Sequence, residues 1–188
     1  MDHYVDIRLR PDPEIVPHQL LSAVYARLHR GLVQLASQDI GVSFPDYDER
    51  KPTLGACLRL HGTRASLQRL LDTPWLSGAR DHVSVAPITP VPSDAGHRRI
   101  ARVQAKSSPA SLRRLAMRRH GIDADAALRQ IPDSAAEQLK LPFVVIGSRS
   151  TGQASFPLFI RQEPVQREAT GGTFNSYGLS QHATVPWF

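Results

Sequence analysis

The sequence predicts an α+β protein built in two parts. An alternating apolar stretch opens the chain. Helix-spaced leucines and short strand-like runs then take turns through the first half, and the pattern restarts after a proline-rich segment. In YVDIRLR (4–10), Val5, Ile7 and Leu9 share one face, as in a strand, and RPDPE breaks it. Leu20, Leu21, Val24, Leu28, Leu32 and Leu35 recur at helical spacing over 17–35, with Pro17 near the start. IGVSF (40–44) and CLRLHG (57–62) read as strands, TRASLQRLLD (63–72) as a short helix and DHVSVAPI (81–88) as a strand.

The order β-α-β-β-α-β predicts an N-terminal ferredoxin-like domain over residues 1–94. PITPVPSDAG (87–96) reads as the linker to a smaller C-terminal α+β domain, 95–188. That second part opens on a strand, RIARVQA. An arginine-rich helix over about 108–120 follows, with Ser107 or Ser108 as N-cap, Pro109 in the first turn and Gly121 at its end. Asp123 caps a further helix stopped by Pro132, and FVVIG and FPLFIRQ read as paired strands. Many RNA-binding modules share the first domain's topology. The aromatic pair of RNA-recognition motifs is not evident, because the strand beginning at Cys57 carries no aromatic residue.

Charge points to a polyanion. Residues 98–121 hold eight Lys/Arg and no acidic residue, and the rest of the chain has 15 basic against 17 acidic residues. The whole excess of +6 therefore sits in one window, where it raises local potential rather than merely aiding solubility. Twenty arginines against three lysines favour bidentate phosphate or guanine recognition. Within the helix, Arg113, Arg114 and Arg118 span a broad cationic arc beside a narrow apolar stripe of Leu112, Leu115 and Ala116, with Arg119 at its edge. A helix lying on a core usually has a wider apolar face, so this one suits reaching between phosphate strands better than coating a surface. The same region could be read as helix-turn-helix. In that motif the second helix enters the groove, whereas here the second helix begins DADAAL and carries carboxylates.

A single cysteine, Cys57, excludes an internal disulfide framework. No apolar run approaches a membrane span, and MDHYVDIRLR lacks the features of a signal peptide, so a cytoplasmic protein with no membrane partner is expected. No carboxylate pair or His-x-x-x-His spacing suggests a metal, and no cofactor is expected. A nuclease working without metal must use the 2′-OH of RNA as nucleophile, with a histidine to move the proton and a serine or tyrosine to position the groups. His29 is a helical histidine that, by itself, reads as a surface residue. GSRSTGQ (147–153) can present Ser148, Ser150 and Thr151 to a phosphate, or be an ordinary polar turn.

MDHYVDIRLRPDPE, IGVSFPD, RVQAKSSP running into LRRLAMRRH, IPD, SRSTGQ, and YGLS followed by VPWF together resemble one family over nearly the whole chain. It is the CRISPR repeat-processing endoribonuclease of subtype I-F (Ypest type). The resemblance implies cleavage of precursor CRISPR RNA at the base of a repeat hairpin, leaving a 2′,3′-cyclic phosphate and a 5′-OH. It also implies retention of the product crRNA and membership of a type I-F crRNA-guided surveillance complex. By matching position it implies His29 as the proton-transfer residue, Ser148 as holder of the 2′-OH and Tyr177 as the residue orienting the histidine. Arg102 and Gln104 match a base-reading pair, suited to guanine and adenine respectively. Phe156 matches an aromatic stacked on the terminal base pair. Ser150 and Thr151 would line the same pocket. Lys106, Arg113, Arg114, Arg118, Arg119 and His120 complete the expected RNA-binding set. Ser111, Leu115 and Ala116 interrupt a helix that is more basic in the family. A non-catalytic hairpin-RNA-binding subunit is the alternative, and it would not need His29, Ser148 and Tyr177 together.

Overall fold

A computed structural model describes the chain except residues 49, 52, 105–108, 133–138 and 148–154. It is α+β, with three sheets and four α-helices among the described residues. Contacts within the chain divide it into two units, Met1–Val103 with Leu141–Phe188, and Gln104–Lys140. These limits differ from the 94/95 boundary suggested by the linker.

In the larger unit, β1 (His3–Leu9), α1 (Pro17–Gln34), β2 (Gly41–Ser43), β3 (Cys57–Gly62), α2 (Arg64–Leu71) and β4 (Val83–Val85) follow one another. The strands form an antiparallel sheet in the order β2-β3-β1-β4. Each expected element is present, because each carries its own start signal or periodicity. Thr63, for example, caps α2 by accepting from the Ser66 amide at 3.1 Å, while the Ser66 hydroxyl accepts from the Thr63 amide at 2.9 Å. The stretch read as a linker is less free than its composition suggests: β5 (Thr89–Pro90) pairs with β1, opposite Tyr4 and His3. Proline is tolerated there because β5 is a two-residue edge segment.

β6 (Gly96–Arg98), β7 (Ile100–Val103), β8 (Phe143–Ile146), β9 (Phe156–Gln162) and β10 (Val185–Trp187) make up the rest of this unit. β10 pairs with β6, and β7, β9 and β8 form a three-stranded antiparallel sheet in that order. One apolar core joins them to the first sheet. Leu20, Leu21, Val24, Leu28 and Leu32 of α1 lie in the same cluster as Ile7 and Leu60 of the first sheet and Val144, Leu158 and Ile160 of the second. Full burial of such side chains contributes about 1.5–3 kcal/mol each, which makes this cluster the main stabilising element. Gln162, 3% exposed, bridges the two sheets where strand pairing fails. Its Oε1 accepts from the Phe44 amide at 3.0 Å and its Nε2 donates to the Phe44 carbonyl at 3.2 Å. Without it, the amide of the fully buried Phe44 would lack a partner, while its carbonyl would keep only the Tyr47 amide at 3.1 Å.

The smaller unit contains α3 (Pro109–His120) and α4 (Ala124–Gln130). Asp123 caps α4 as expected, accepting from the Ala126 amide at 2.7 Å. The capping serines and Lys106 assigned to the start of α3 lie outside the described residues. Among the described residues of this unit, Ala127 alone is buried.

Opposite the helices, Arg59 of β3 binds Asp6 of β1 through two nitrogens, at 2.6 and 3.0 Å, and lies against the rings of Tyr4 and Phe188, which touch each other edge-on. Two residues further along β3, the fully buried His61 shares a 2.8 Å hydrogen bond with Ser43. Burial, helped by the Arg59 charge, pushes this imidazole from 6.5 down to about 3. Native His61 therefore stays neutral where the unfolded chain's histidine takes up a proton. Stability drawn from this is complete above pH 6.5 and is lost as pH falls from there toward about 3. Urea unfolding across that window should show stability falling with pH. In His61→Gln the slope should shrink by about one proton, or about 1.4 kcal/mol per pH unit. An unchanged slope would mean that His61 titrates normally.

Candidate active site

His29 and Tyr177 arise from distant parts of the sequence, and the fold stacks them. Their rings lie 4.1 Å apart at 13° to one another. Both are part-buried, and Tyr177 packs against the core. The segment 174–181 makes the meeting possible. Asn175 folds it into a turn: its Oδ1 accepts from the amides of Tyr177 (2.9 Å) and Leu179 (3.2 Å), and its carbonyl accepts from Gly178 (2.8 Å). Gly178 has φ +70°, and a Cβ there would meet Val42 at 2.6 Å, so glycine is needed both for the backbone angle and for close approach to β2.

This segment is tied to three elements. To β2, the Val42 amide donates to the Gly178 carbonyl at 3.0 Å. To α1, the Tyr25 hydroxyl donates to the Tyr177 carbonyl at 2.7 Å, and His29 Nδ1 is 2.8 Å from the Ser176 carbonyl. To β7, the Ser180 amide donates to the Ile100 carbonyl at 3.0 Å and the Gln181 amide group donates to the Arg102 carbonyl at 2.9 Å. Arg102 is thereby brought to the same place, its guanidinium 6.0 Å from the Tyr177 ring centroid and 5.6 Å from that of Phe156.

A carbonyl oxygen can only accept, so Nδ1 of His29 carries its proton, and the neutral ring presents a lone pair on Nε2. That nitrogen can take a proton from a bound group. Arg102, beside the Tyr177 ring, has a buried Nε without a hydrogen-bond partner among the described residues. A buried donor left unpaired costs about 1–3 kcal/mol, a cost that a ligand accepting from it would remove.

Four of the residues anticipated from the sequence thus converge: His29, Tyr177, Arg102 and Phe156. Ser148, Ser150 and Thr151 lie outside the described residues. Gln104 is exposed just after β7. On α3, Arg114, Arg118, Arg119 and His120 are exposed, and no described side chain of the helix is buried. Arg113 differs from them. Its Nε donates to the Ile131 carbonyl at 2.7 Å, tying α3 to the end of α4. Among the described residues no group of three His, Cys, Asp or Glu could hold a metal ion, and no helix is long and apolar enough to cross a membrane. Tyr25, Asn175 and Gln181 escaped the sequence reading. Tyr25 lies four residues before His29 and so on the same helix face, but that spacing does not reveal where its hydroxyl bonds.

A tethered imidazole stacked on a tyrosine, with an arginine against that tyrosine whose Nε lacks a partner among the described residues, describes a site able to transfer protons beside a ligand. Residues 4–188 match the family described as CRISPR-associated protein (Cas_Csy4), and the chain belongs to that family. It is 50% identical over 188 residues to the CRISPR-associated endonuclease Cas6/Csy4 of Pseudomonas aeruginosa (strain UCBPP-PA14), covering all of both chains. To the protein of the same name from Escherichia coli (strain UTI89 / UPEC) it is 42% identical, again over all of both. A solved structure described as "An RAMP protein binding different RNA substrates" aligns with 98% of this chain and 99% of its own, at 9% identity and a TM-score of 0.33, too distant to carry an inference.

Proposed function

We propose that the protein is a metal-independent endoribonuclease that binds the CRISPR repeat hairpin and cuts precursor crRNA at the base of the stem. The observation that carries this reading is the cluster of His29, Tyr177, Arg102 and Phe156, assembled from α1, the 174–181 turn, β7 and β9. The endonuclease name of two full-length relatives supports it. The sheet order β2-β3-β1-β4, with helices following β1 and β3, supports a ferredoxin-like reading of the first part.

In the proposed reaction, bare Nε2 of His29 takes the proton of the 2′-OH, whose oxygen attacks the adjacent phosphorus. The bond to the 5′ oxygen breaks, that oxygen takes a proton from water while the imidazolium of His29 returns its own to solvent, and the products are a 2′,3′-cyclic phosphate and a 5′-OH. The nucleophile belongs to the substrate, so the step calls for no metal-bound water. Tyr177 holds the imidazole plane, and Ser148 would hold the 2′-OH, with Ser150 and Thr151 beside it. Arg102 and Gln104 would read bases at the foot of the stem, with Phe156 stacking beneath them. Lys106, Arg113, Arg114, Arg118, Arg119 and His120 would grip phosphates. After cleavage the protein keeps the crRNA and joins a type I-F surveillance complex in the cytoplasm.

The test is incubation in EDTA with the repeat RNA of the CRISPR array in the protein's own genome, unmodified or carrying one 2′-deoxy at the scissile nucleotide. We expect the unmodified RNA to be cut and the deoxy RNA to survive. Cutting of the deoxy RNA would overturn 2′-OH attack, and survival of both would favour a non-catalytic hairpin-binding subunit. For Arg114→Ala, binding to the same hairpin should weaken and log K against log salt should become shallower by about one charge. An unchanged slope would remove Arg114 from the phosphate contacts.

A further inference from the structure

Tyr25 of α1 is fully buried, yet its hydroxyl is the donor of a 2.7 Å hydrogen bond to the Tyr177 carbonyl, 152 residues away in the chain. One helical turn further along the same face, His29 donates to the carbonyl just before it, that of Ser176, at 2.8 Å. Helix α1 therefore grips two consecutive carbonyls of one turn. From inside the turn, Asn175 Oδ1 holds the Tyr177 and Leu179 amides, so the peptide between residues 176 and 177 is fixed from both sides.

We propose that Tyr25 is a positioning residue for His29: by holding the Tyr177 carbonyl it fixes the neighbouring Ser176 carbonyl, which sets the tautomer and plane of the imidazole. This rests on His29 being the proton-transfer residue of the proposed nuclease. The two carbonyls belong to adjacent peptide planes joined at the Tyr177 Cα, so holding one narrows the φ and ψ rotations by which the other can turn. Loss of the Tyr25 hydroxyl frees that rotation, and with it the acceptor that keeps the proton on Nδ1. Burial, with the nearby Tyr177 phenol, raises the Tyr25 phenol well above 10, so the hydroxyl remains a donor throughout the working range. A purely structural tyrosine would be served as well by phenylalanine, since its ring also packs on Phe44 at 6.0 Å.

The test is Tyr25→Phe, which keeps the ring and removes the donor. Two quantities are read: the nitrogen-15 shifts of the His29 imidazole in the free protein, and the single-turnover cleavage rate of the unmodified repeat RNA. Wild type should show a protonated Nδ1 and a bare Nε2. In the variant the two shifts should converge toward a tautomer mixture and cleavage should slow about tenfold, equivalent to about 1.4 kcal/mol. Affinity for the 2′-deoxy hairpin should stay within about twofold. Asn175→Ala, an exposed change, should give the same pattern and serves if Tyr25→Phe does not fold. Unaltered imidazole shifts, an unaltered rate, or a rate that falls only in step with affinity would each overturn the proposal. Should wild type leave the RNA whole, the nuclease reading fails instead, and the imidazole shifts still decide whether Tyr25 holds His29.

Discussion

The site depends on one constraint, the anchoring of the 174–181 segment to α1, β2 and β7 by hydrogen bonds from both backbone and side chains. None of the residues it gathers is close in sequence. His29 rides on α1, Arg102 on β7 and Phe156 at the start of β9, and each would be an unremarkable residue on its own element. The turn brings Tyr177 onto His29 and, two residues beyond Leu179, uses Gln181 to hold the Arg102 carbonyl. The apolar core that joins the two sheets gives these bonds their leverage, because α1 and β7 are themselves immobilised by burial. Polar groups in the site can then be held with little freedom at the moment of reaction.

Two kinds of cation serve different ends. Arg59 is spent on structure, paired to Asp6 and covered by two rings. Arg113 bonds a carbonyl within its own unit. Arg102 instead keeps a buried Nε without a partner among the described residues, while Arg118 and Arg119 stand exposed on a helix with no buried described side chain. Affinity through exposed arginines is salt-dependent and indifferent to sequence, whereas a partly buried guanidinium facing a base edge discriminates. Such a division of labour would suit the hairpin nuclease proposed above.

Much of the α+β pattern was legible because periodicity is local: the alternation of β1, the leucine spacing of α1 and the caps of α2 and α4 each lie within a few residues. The pairing of β5 with β1 was not, since TP within a proline-rich stretch reads as linker, and its two ladder positions are defined by a strand eighty-odd residues away. The charge window located α3, yet it could not tell that Arg113 would turn toward Ile131. At the site, matching stretches named His29, Tyr177, Arg102 and Phe156. Tyr25 stayed hidden because its spacing marks it as core, and in the core it indeed lies. Its distinguishing feature is one oxygen whose acceptor is 152 residues distant, which no local pattern encodes.

The central claim is that the His29 imidazole moves the proton and does not build the RNA-binding surface. Measuring affinity and single-turnover cleavage side by side for His29→Ala tests it most directly. The account predicts hairpin affinity close to wild type with cleavage slowed by about a hundredfold or more. A variant that lost affinity and cleavage together, or that still cut at the wild-type rate, would contradict it.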